Sequence, residues 1–250
     1  MIRAVAGVAM LSVALVSSAP APPGLVRLGE VLLFSYPDLP SNIDPKAAEP
    51  TLRALAAERS EPGIGVHLFL ADRGSRKGQY AVVWVVDTLK RRQQGSSAEE
   101  PFVKNGAEYH LVAPETVGAL PDVDVLGLHY TTVRPDRVEA FERFVREKLH
   151  PSVANLRPDL RILYYRSARR EDAGRYVALF ALTRASRDKY WPGGSDSDEL
   201  RAAFKPVQGL TKELSTYLVD GSYLADPKFA AAVFESRQWA DFVLVPADPR

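Results

Sequence analysis

The sequence predicts an α+β protein made of two tandem βαββαβ repeats, and three observations predict it. The chain matches itself at a shift of 96 residues: Gly78 and the run Gln79-Tyr80-Ala81-Val82-Val83-Trp84-Val85-Val86 fall on Gly174 and Arg175-Tyr176-Val177-Ala178-Leu179-Phe180-Ala181-Leu182. The same shift lays Pro62 on Pro158, Arg73 on Arg169 and Leu32 on Leu128, and a repeat this long points to duplication of a whole domain. β-rich runs and helical periodicity then follow the same order in both halves. Finally, 250 residues that are 46% apolar and 25% charged can bury a core of that size.

The first residues read as a secretory signal, residues 1–21. Arg3 gives a short positive start, Ala4 to Val16 an apolar run, and Ser17-Ser18-Ala19-Pro20-Ala21 a small-residue end. The apolar run falls short of the ~20 residues a membrane span needs. The expectation is therefore a periplasmic or secreted protein with no stable membrane anchor after signal removal. The sequence has no cysteine, which excludes disulfides, thiolate metal sites and a lipid-modified cysteine. With 32 basic and 31 acidic residues the net charge is +1, which gives no general attraction to nucleic acid or anionic lipid.

The first repeat is expected over residues 22–120. Glu30 to Phe34 reads as a strand and Pro50 to Arg59 as a helix. Gly63–Ala71 and Gln79–Asp87 form a hairpin around the Arg73–Gly78 turn, whose basic residues read as a solvated tip. Gln93–Ser97 looks like loop, and Glu108 to Val112 is the closing strand. The second repeat is expected over 121–224. Val125–Thr132 is its first strand, and Asp136–Leu149 its helix, with Val138, Phe141, Val145 and Leu149 as the buried stripe. Glu139/Arg143 and Glu142/Arg146 are i,i+4 pairs in the better orientation, and Pro151 ends or kinks the helix. Leu160–Ser167 and Arg175–Thr183 make the second hairpin, followed by a helix over Ser197–Leu214 and a fourth strand over Ser215–Val219. Residues 225–250 are left as a C-terminal extension, with Phe234–Phe242 a strand bordering the fold.

The βαββαβ order is the ferredoxin-like unit, whose sheet is covered by helices on one face only. Two bare faces in one chain suggest packing sheet to sheet. With a hairpin that runs into Asp87-Thr88-Leu89, the pattern resembles the dimeric α/β-barrel superfamily, which includes antibiotic-biosynthesis monooxygenase-like, EthD-like and NIPSNAP-like domains. That resemblance implies an intrachain barrel around a cavity. It carries no diagnostic catalytic motif.

Strand alternation assigns the cavity side. On 125–132, Leu126, Leu128 and Tyr130 are expected under helices, leaving His129 and Thr131 toward the cavity. The same logic turns His67 and Phe69 inward, with Leu163 and Tyr165 matching them. It also places Val83 and Leu179 on the cavity wall. The expected product is a mostly apolar chamber for a small apolar or aromatic ligand.

His67 and His129 are the candidate catalytic residues, because imidazole serves as base or acid near neutral pH. Each has an apolar counterpart in the other half, Leu163 for His67 and Leu33 for His129. Without a neighbouring carboxylate motif they read more readily as isolated strand histidines, and His110 and His150 read as structural. No histidine pair has metal-ligand spacing, so no metal is expected.

Three functions follow: an exported small-molecule binder, a cofactor-independent monooxygenase or cyclase-like enzyme using a barrel histidine, and a haem protein. The last comes from a resemblance to chlorite dismutase-like proteins, which implies an axial histidine on the second unit's second strand. Leu163-Tyr164-Tyr165-Arg166 stands there instead. No nucleic acid is expected either: in Lys77-Gly78-Gln79-Tyr80-Ala81-Val82, Gln79 and Ala81 occupy the stacking positions of an RNA-recognition motif. The sequence carries no G-x-S-x-G, P-loop, G-x-G-x-x-G or H-E-x-x-H signature. Gly193–Glu199 reads as a loop with a Ser or Asp helix cap.

Overall fold

The computed structural model describes residues 22, 24–37, 45–93, 106–153, 156–169, 172–219 and 239–246. The expected signal, residues 1–21, lies outside them. The first half runs β1 (Val26–Arg27), β2 (Val31–Ser35), α1 (Pro45–Arg59), β3 (Ile64–Gly74), β4 (Tyr80–Val86), α2 (Leu89–Gln93) and β5 (Gly106–Leu111). The second runs β6 (Asp122–Val123), β7 (Val125–Thr132), α3 (Val138–Phe144), α4 (His150–Val153), β8 (Arg161–Ser167) and β9 (Arg175–Leu182). It ends with α5 (Arg184–Tyr190), α6 (Asp198–Phe204), α7 (Gln208–Ser215) and β10 (Trp239–Leu244).

Eight strands close a barrel in the order β10-β3-β4-β2-β5-β8-β9-β7, every neighbouring pair antiparallel. Closure leaves the barrel itself no edge strand. Each half supplies four adjacent strands, and in both their order is second, third, first, fourth. β1 and β6 form a separate two-stranded ribbon.

The 96-residue repeat has a structural cause at its strongest point. Gly78 and Gly174 each precede the second hairpin strand with φ of +87° and +84°, a left-handed conformation that favours glycine. The shift then fails. β5 opens at Gly106 and β10 at Trp239, and α5, α6 and α7 fill the longer interval of the second half. Ser215–Val219 is therefore not the fourth strand: it ends α7 and makes only the isolated bridge Val133↔Leu218. The segment read as a bordering extension instead supplies β10, which closes the barrel between β3 and β7. The helix expected over 197–214 is broken into α6 and α7 by a 3₁₀ turn at Lys205–Val207, where Pro206 lacks an amide hydrogen.

Alternate strand residues fill the barrel. Phe69, Val83 and Leu179 retain none of their surface, and Leu163 and Tyr165 1% each. They pack with Leu32, Phe34, Leu126, Leu128 and Phe242 in one apolar cluster drawn from both halves. Each such side chain contributes roughly 1.5–3 kcal/mol on burial. The outer faces are sealed by helices. Leu52 and Ala56 of α1 cover Leu33, Val66 and Trp84. Phe141 of α3 packs between Tyr164, Tyr176 and Tyr217, with its closest ring centroid 4.7 Å away. Tyr190 of α5 and Leu200 of α6 cover Val125 and Val243.

Between α3 and α4 the chain widens into a π-turn at Val145–Leu149, directly before Pro151, whose ring would otherwise crowd the preceding helical carbonyl. Arg143 bonds Glu139 at 3.0 Å as expected, but Glu142 pairs with Arg166 and Tyr176, while Arg146 turns to Glu115. Among the described residues no helix is long and apolar enough to cross a membrane.

Candidate functional site

A one-residue irregularity helps build a partly open concavity on the outside of the barrel. The β3–β10 register slips between Asp241 and Phe242, so Asp241 faces Arg73 while Phe242 faces Ala71. Asp72 is the extra residue of a bulge, and bulges re-aim side chains. Ala71 points into the barrel, whereas both Asp72 and Arg73 reach α5 outside it. On β7, Gly127 lies opposite Asp241 and Phe180. A Cβ there would sit 3.1 Å from Phe180 Cβ and 3.2 Å from Asp241 Oδ1, so glycine keeps the floor low.

The resulting cleft, with about 30 Å³ of water-accessible space and partly open to solvent, lies on the outer face of β7, β9 and β10 beneath α5. Arg73, His129, Phe180, Arg187, Trp191, Trp239 and Asp241 line it, with Leu182 and Gly194. The His129 ring centroid is 4.7 Å from Phe180 and 6.2 Å from Trp239, and Phe180 meets Trp191 edge-on at 5.7 Å. Arg187 is buried and donates from Nη1 to Asp72 Oδ2 at 2.7 Å, with Nε 3.5 Å from Asp188 Oδ1. Arg73 donates to the Trp191 carbonyl at 3.4 Å and lies 3.7 Å from Asp188. Asp72 Oδ1 and Arg187 Nε are buried without hydrogen-bond partners.

Two groups in this cleft have displaced proton affinities. Burial pushes His129 down to about 4, so its imidazole is neutral across the physiological range. Burial pushes the Asp241 carboxyl up to about 6. Arg187 and Arg73 pull against that rise, and the Asp72 charge adds to it.

The two candidate histidines are not brought together. His67 shares the inner face of β3 with Phe69; its Nε2 lies where a Cβ on Gly65 would come within 2.5 Å, and burial lowers it to about 4. His129 lies outside the barrel. Leu126 and Leu128 point inward instead, which turns Thr131 outward with His129. The assignment on 125–132 fails because barrel packing inside and helix packing outside make both faces of the strand apolar, so hydrophobicity does not choose between them. Tyr130 closes one end of the barrel, its hydroxyl 3.5 Å from that of Tyr36.

Phe69, Val83, Leu163, Tyr165 and Leu179 point inward as expected, but they form core rather than the wall of a chamber. A side chain lining a water-sized void would keep accessible surface, and these keep almost none. Tyr165 donates its hydroxyl to the Gly29 carbonyl at 2.8 Å, and Tyr164 packs outward against Phe141; neither faces an open site for haem iron. Among the described residues no group of three or more His, Asp or Glu is placed to hold a metal ion.

The other histidines have structural partners. His150 is buried; its Nε2 accepts from the Tyr164 amide at 3.1 Å, so its proton sits on Nδ1, 3.2 Å from Thr116 Oγ1. His110 lies 2.7 Å from Glu108, which Arg92 also grips through two bonds of 3.0 and 2.9 Å. Against the upward push of burial, these hydrogen bonds hold Glu108 down to about 2. Ser197 caps α6, accepting from the Leu200 amide at 3.1 Å. The basic turn is not simply solvated: Arg73 enters the cleft, and Arg76 lies 3.9 Å over the Tyr36 ring.

Sequence reasoning missed Arg73, Phe180, Arg187, Trp191, Trp239 and Asp241. They come from four separate segments, and the bulge that turns Arg73 outward has no sequence signature. The β-rich run Trp239-Ala240-Asp241-Phe242-Val243-Leu244 was the available signal for a barrel strand.

The observed architecture is a mixed α+β closed barrel. No protein-family model matches the chain, and no curated protein is significantly similar to it. Solved structures overlap it loosely. A putative monooxygenase from Lactobacillus acidophilus NCFM shares 11% identity at a TM-score of 0.43, over 86% of this chain and 92% of that one. An anthrone oxidase-like protein shares 13% at 0.41, over 86% and 90%. A putative monooxygenase from Fusobacterium nucleatum subsp. nucleatum shares 9% at 0.46, over 86% and 91%.

Proposed function

We propose that this is an exported small-molecule-binding protein of two fused ferredoxin-like units, with its ligand in the outer cleft of the second unit. The shared second-third-first-fourth strand order of the two halves supports the duplication. The observation that carries the binding reading is the ring arrangement: His129 lies between Phe180 and Trp239, with Trp191 against Phe180, around a partly open cleft. Aromatic walls with a few convergent polar groups characterise small-molecule sites. The packed barrel interior argues for the cleft over the space between the sheets.

Titration calorimetry with benzyl alcohol and larger hydroxylated rings tests this. Binding to the wild type that weakens at least about tenfold in Trp239→Ala, with unchanged far-ultraviolet circular dichroism, is the expected result. Binding unaffected by that substitution contradicts it. Fractionation of a tagged chain tests export: full-length protein recovered in the cytoplasm would count against a cleaved signal.

One observation favours a second, enzymatic reading: a neutral imidazole and a carboxyl near 6 share the cleft, so near pH 7 both are deprotonated and available as proton acceptors. Turnover lost in both His129→Gln and Asp241→Asn while binding persists is its expected signature. A lack of Soret absorption after adding haemin would remove a haem role.

A further inference from the structure

We infer that the cleft is built for an organic cation, with Asp241 as its counter-ion and the surrounding rings as its wall. The inference rests on the binding reading above and concerns the ligand's charge. Arg73, Arg187 and Asp241 line the cleft, and Asp72 and Asp188 stand behind the two arginines, so the cluster as a whole holds three carboxylates and two cations. Two arginines face Asp241, Arg73 from β3 and Arg187 from α5; Arg73 and the Arg187 Nη1 are already bonded, while Arg187 Nε has an ion-pair neighbour but no hydrogen bond. Arg187 is held by Asp72 at 2.7 Å and lies 3.5 Å from Asp188; Arg73 lies 3.7 Å from Asp188 and bonds the Trp191 carbonyl. From β7 the facing titratable group is His129, which is neutral. With Asp72 and Asp188 matched to the two arginines, Asp241 is the carboxylate left over. It has no hydrogen bond and no ion pair within 4 Å among the described residues, yet it lines the cleft.

Ionising such a carboxyl in a half-buried site is costly, which is why burial raises its proton affinity. A proton cancels the surplus charge, and so does a cationic ligand. The rest of the wall suits the second solution. Trp239, Trp191 and Phe180 present π-faces and edges around the same space, and aromatic rings attract alkylammonium groups, more strongly where water is excluded. A carboxylate ligand would meet the opposite situation, adding a fourth negative charge beside Asp72, Asp188 and Asp241.

Three probes of similar size separate the possibilities: phenyltrimethylammonium, benzyl alcohol and benzoate, titrated calorimetrically at pH 7.5. The cation is expected to bind about tenfold more tightly than the neutral alcohol, and benzoate more weakly than either. Asp241→Asn should abolish the cation's advantage over benzyl alcohol, read as the ratio of the two affinities in the same variant. Lowering the pH to 5, about one unit below the Asp241 midpoint, leaves roughly a tenth of the carboxyl ionised and should cost the cation about tenfold. Benzyl alcohol binding without a cation advantage, or an advantage that survives Asp241→Asn, overturns this inference alone. If none of the three binds, the binding reading falls and takes the inference with it.

Discussion

The two halves of this barrel share a strand order but treat their outer faces differently. In the first half α1 lies across β2, β3 and β4 and buries Trp84 to 2% exposure. In the second half α3, α4 and α7 seal the Tyr164–Tyr176 surface in the same manner. Farther along the same strands the inserted α5 segment stands over a floor lowered by Gly127, and Phe180 and Trp239 stay partly exposed. The difference teaches that a shared strand order does not fix the outer surface: the longer α5–α7 interval and the Asp72 bulge shape the cleft.

The largest test of this contrast is packing. Trp84→Ala and Phe141→Ala remove fully packed rings from sealed surfaces and should each cost about 3–5 kcal/mol in urea unfolding. Phe180→Ala, at the cleft, should cost no more than about 2 kcal/mol. Equal losses at all three positions would mean that the cleft is as tightly packed as the sealed faces.

The paired glycines sharpen the comparison. Gly78→Ala meets no atom within 4 Å, so its cost is the left-handed backbone alone, about 1 kcal/mol. Gly174→Ala carries the same backbone cost and adds a contact of 2.9 Å with the Val133 carbonyl. Its loss should approach ~2 kcal/mol. Identical thermal midpoints for the two variants would break the asymmetry.

Acid probes the sealed layer against the cleft. Burial holds His150 at about 4, below its ordinary value of 6.5. As pH falls below 6.5 the unfolded chain takes up a proton that the folded chain refuses until about 4, so stability is lost across that window. His67 and His129 act in the same direction. Urea unfolding should show a loss of about 1–2 kcal/mol from His150 between pH 7 and pH 5. Asp241 works the other way: its folded value of about 6 exceeds the ordinary 3.8, so its burden on stability grows as pH rises from about 4 to 6. Asp241→Asn should therefore stabilise the protein by about 2–3 kcal/mol at pH 7.5 and leave it nearly unchanged at pH 3.5. Stabilisation of equal size at both pH values would deny the buried charge.

The parts of the fold that were legible in the sequence follow from local chemistry. Gly78 and Gly174 mark the hairpins, and Phe141, Val145 and Leu149 mark the helix over the second half. What was illegible depended on distant partners. Extending the 96-residue shift past Leu182 put the closing strand at Ser215–Val219 and left β10 as a mere border, because the longer interval of the second half displaces it. The two apolar faces of β7 concealed the direction of His129. Of the candidate site, only His129 was named in advance. The arginines, tryptophans and Asp241 around it are joined by a bulge and by a strand on the far side of the chain, and neither leaves a periodic trace.

The most direct test uses the three tryptophans as reporters. Trp84 lies under α1, while Trp191 and Trp239 line the cleft. In protein labelled with 5-fluorotryptophan, the tightest-binding of the three ring probes should shift the ¹⁹F resonances of Trp191 and Trp239 and leave Trp84 in place. A probe that binds to saturation without moving Trp191 and Trp239 would contradict the account.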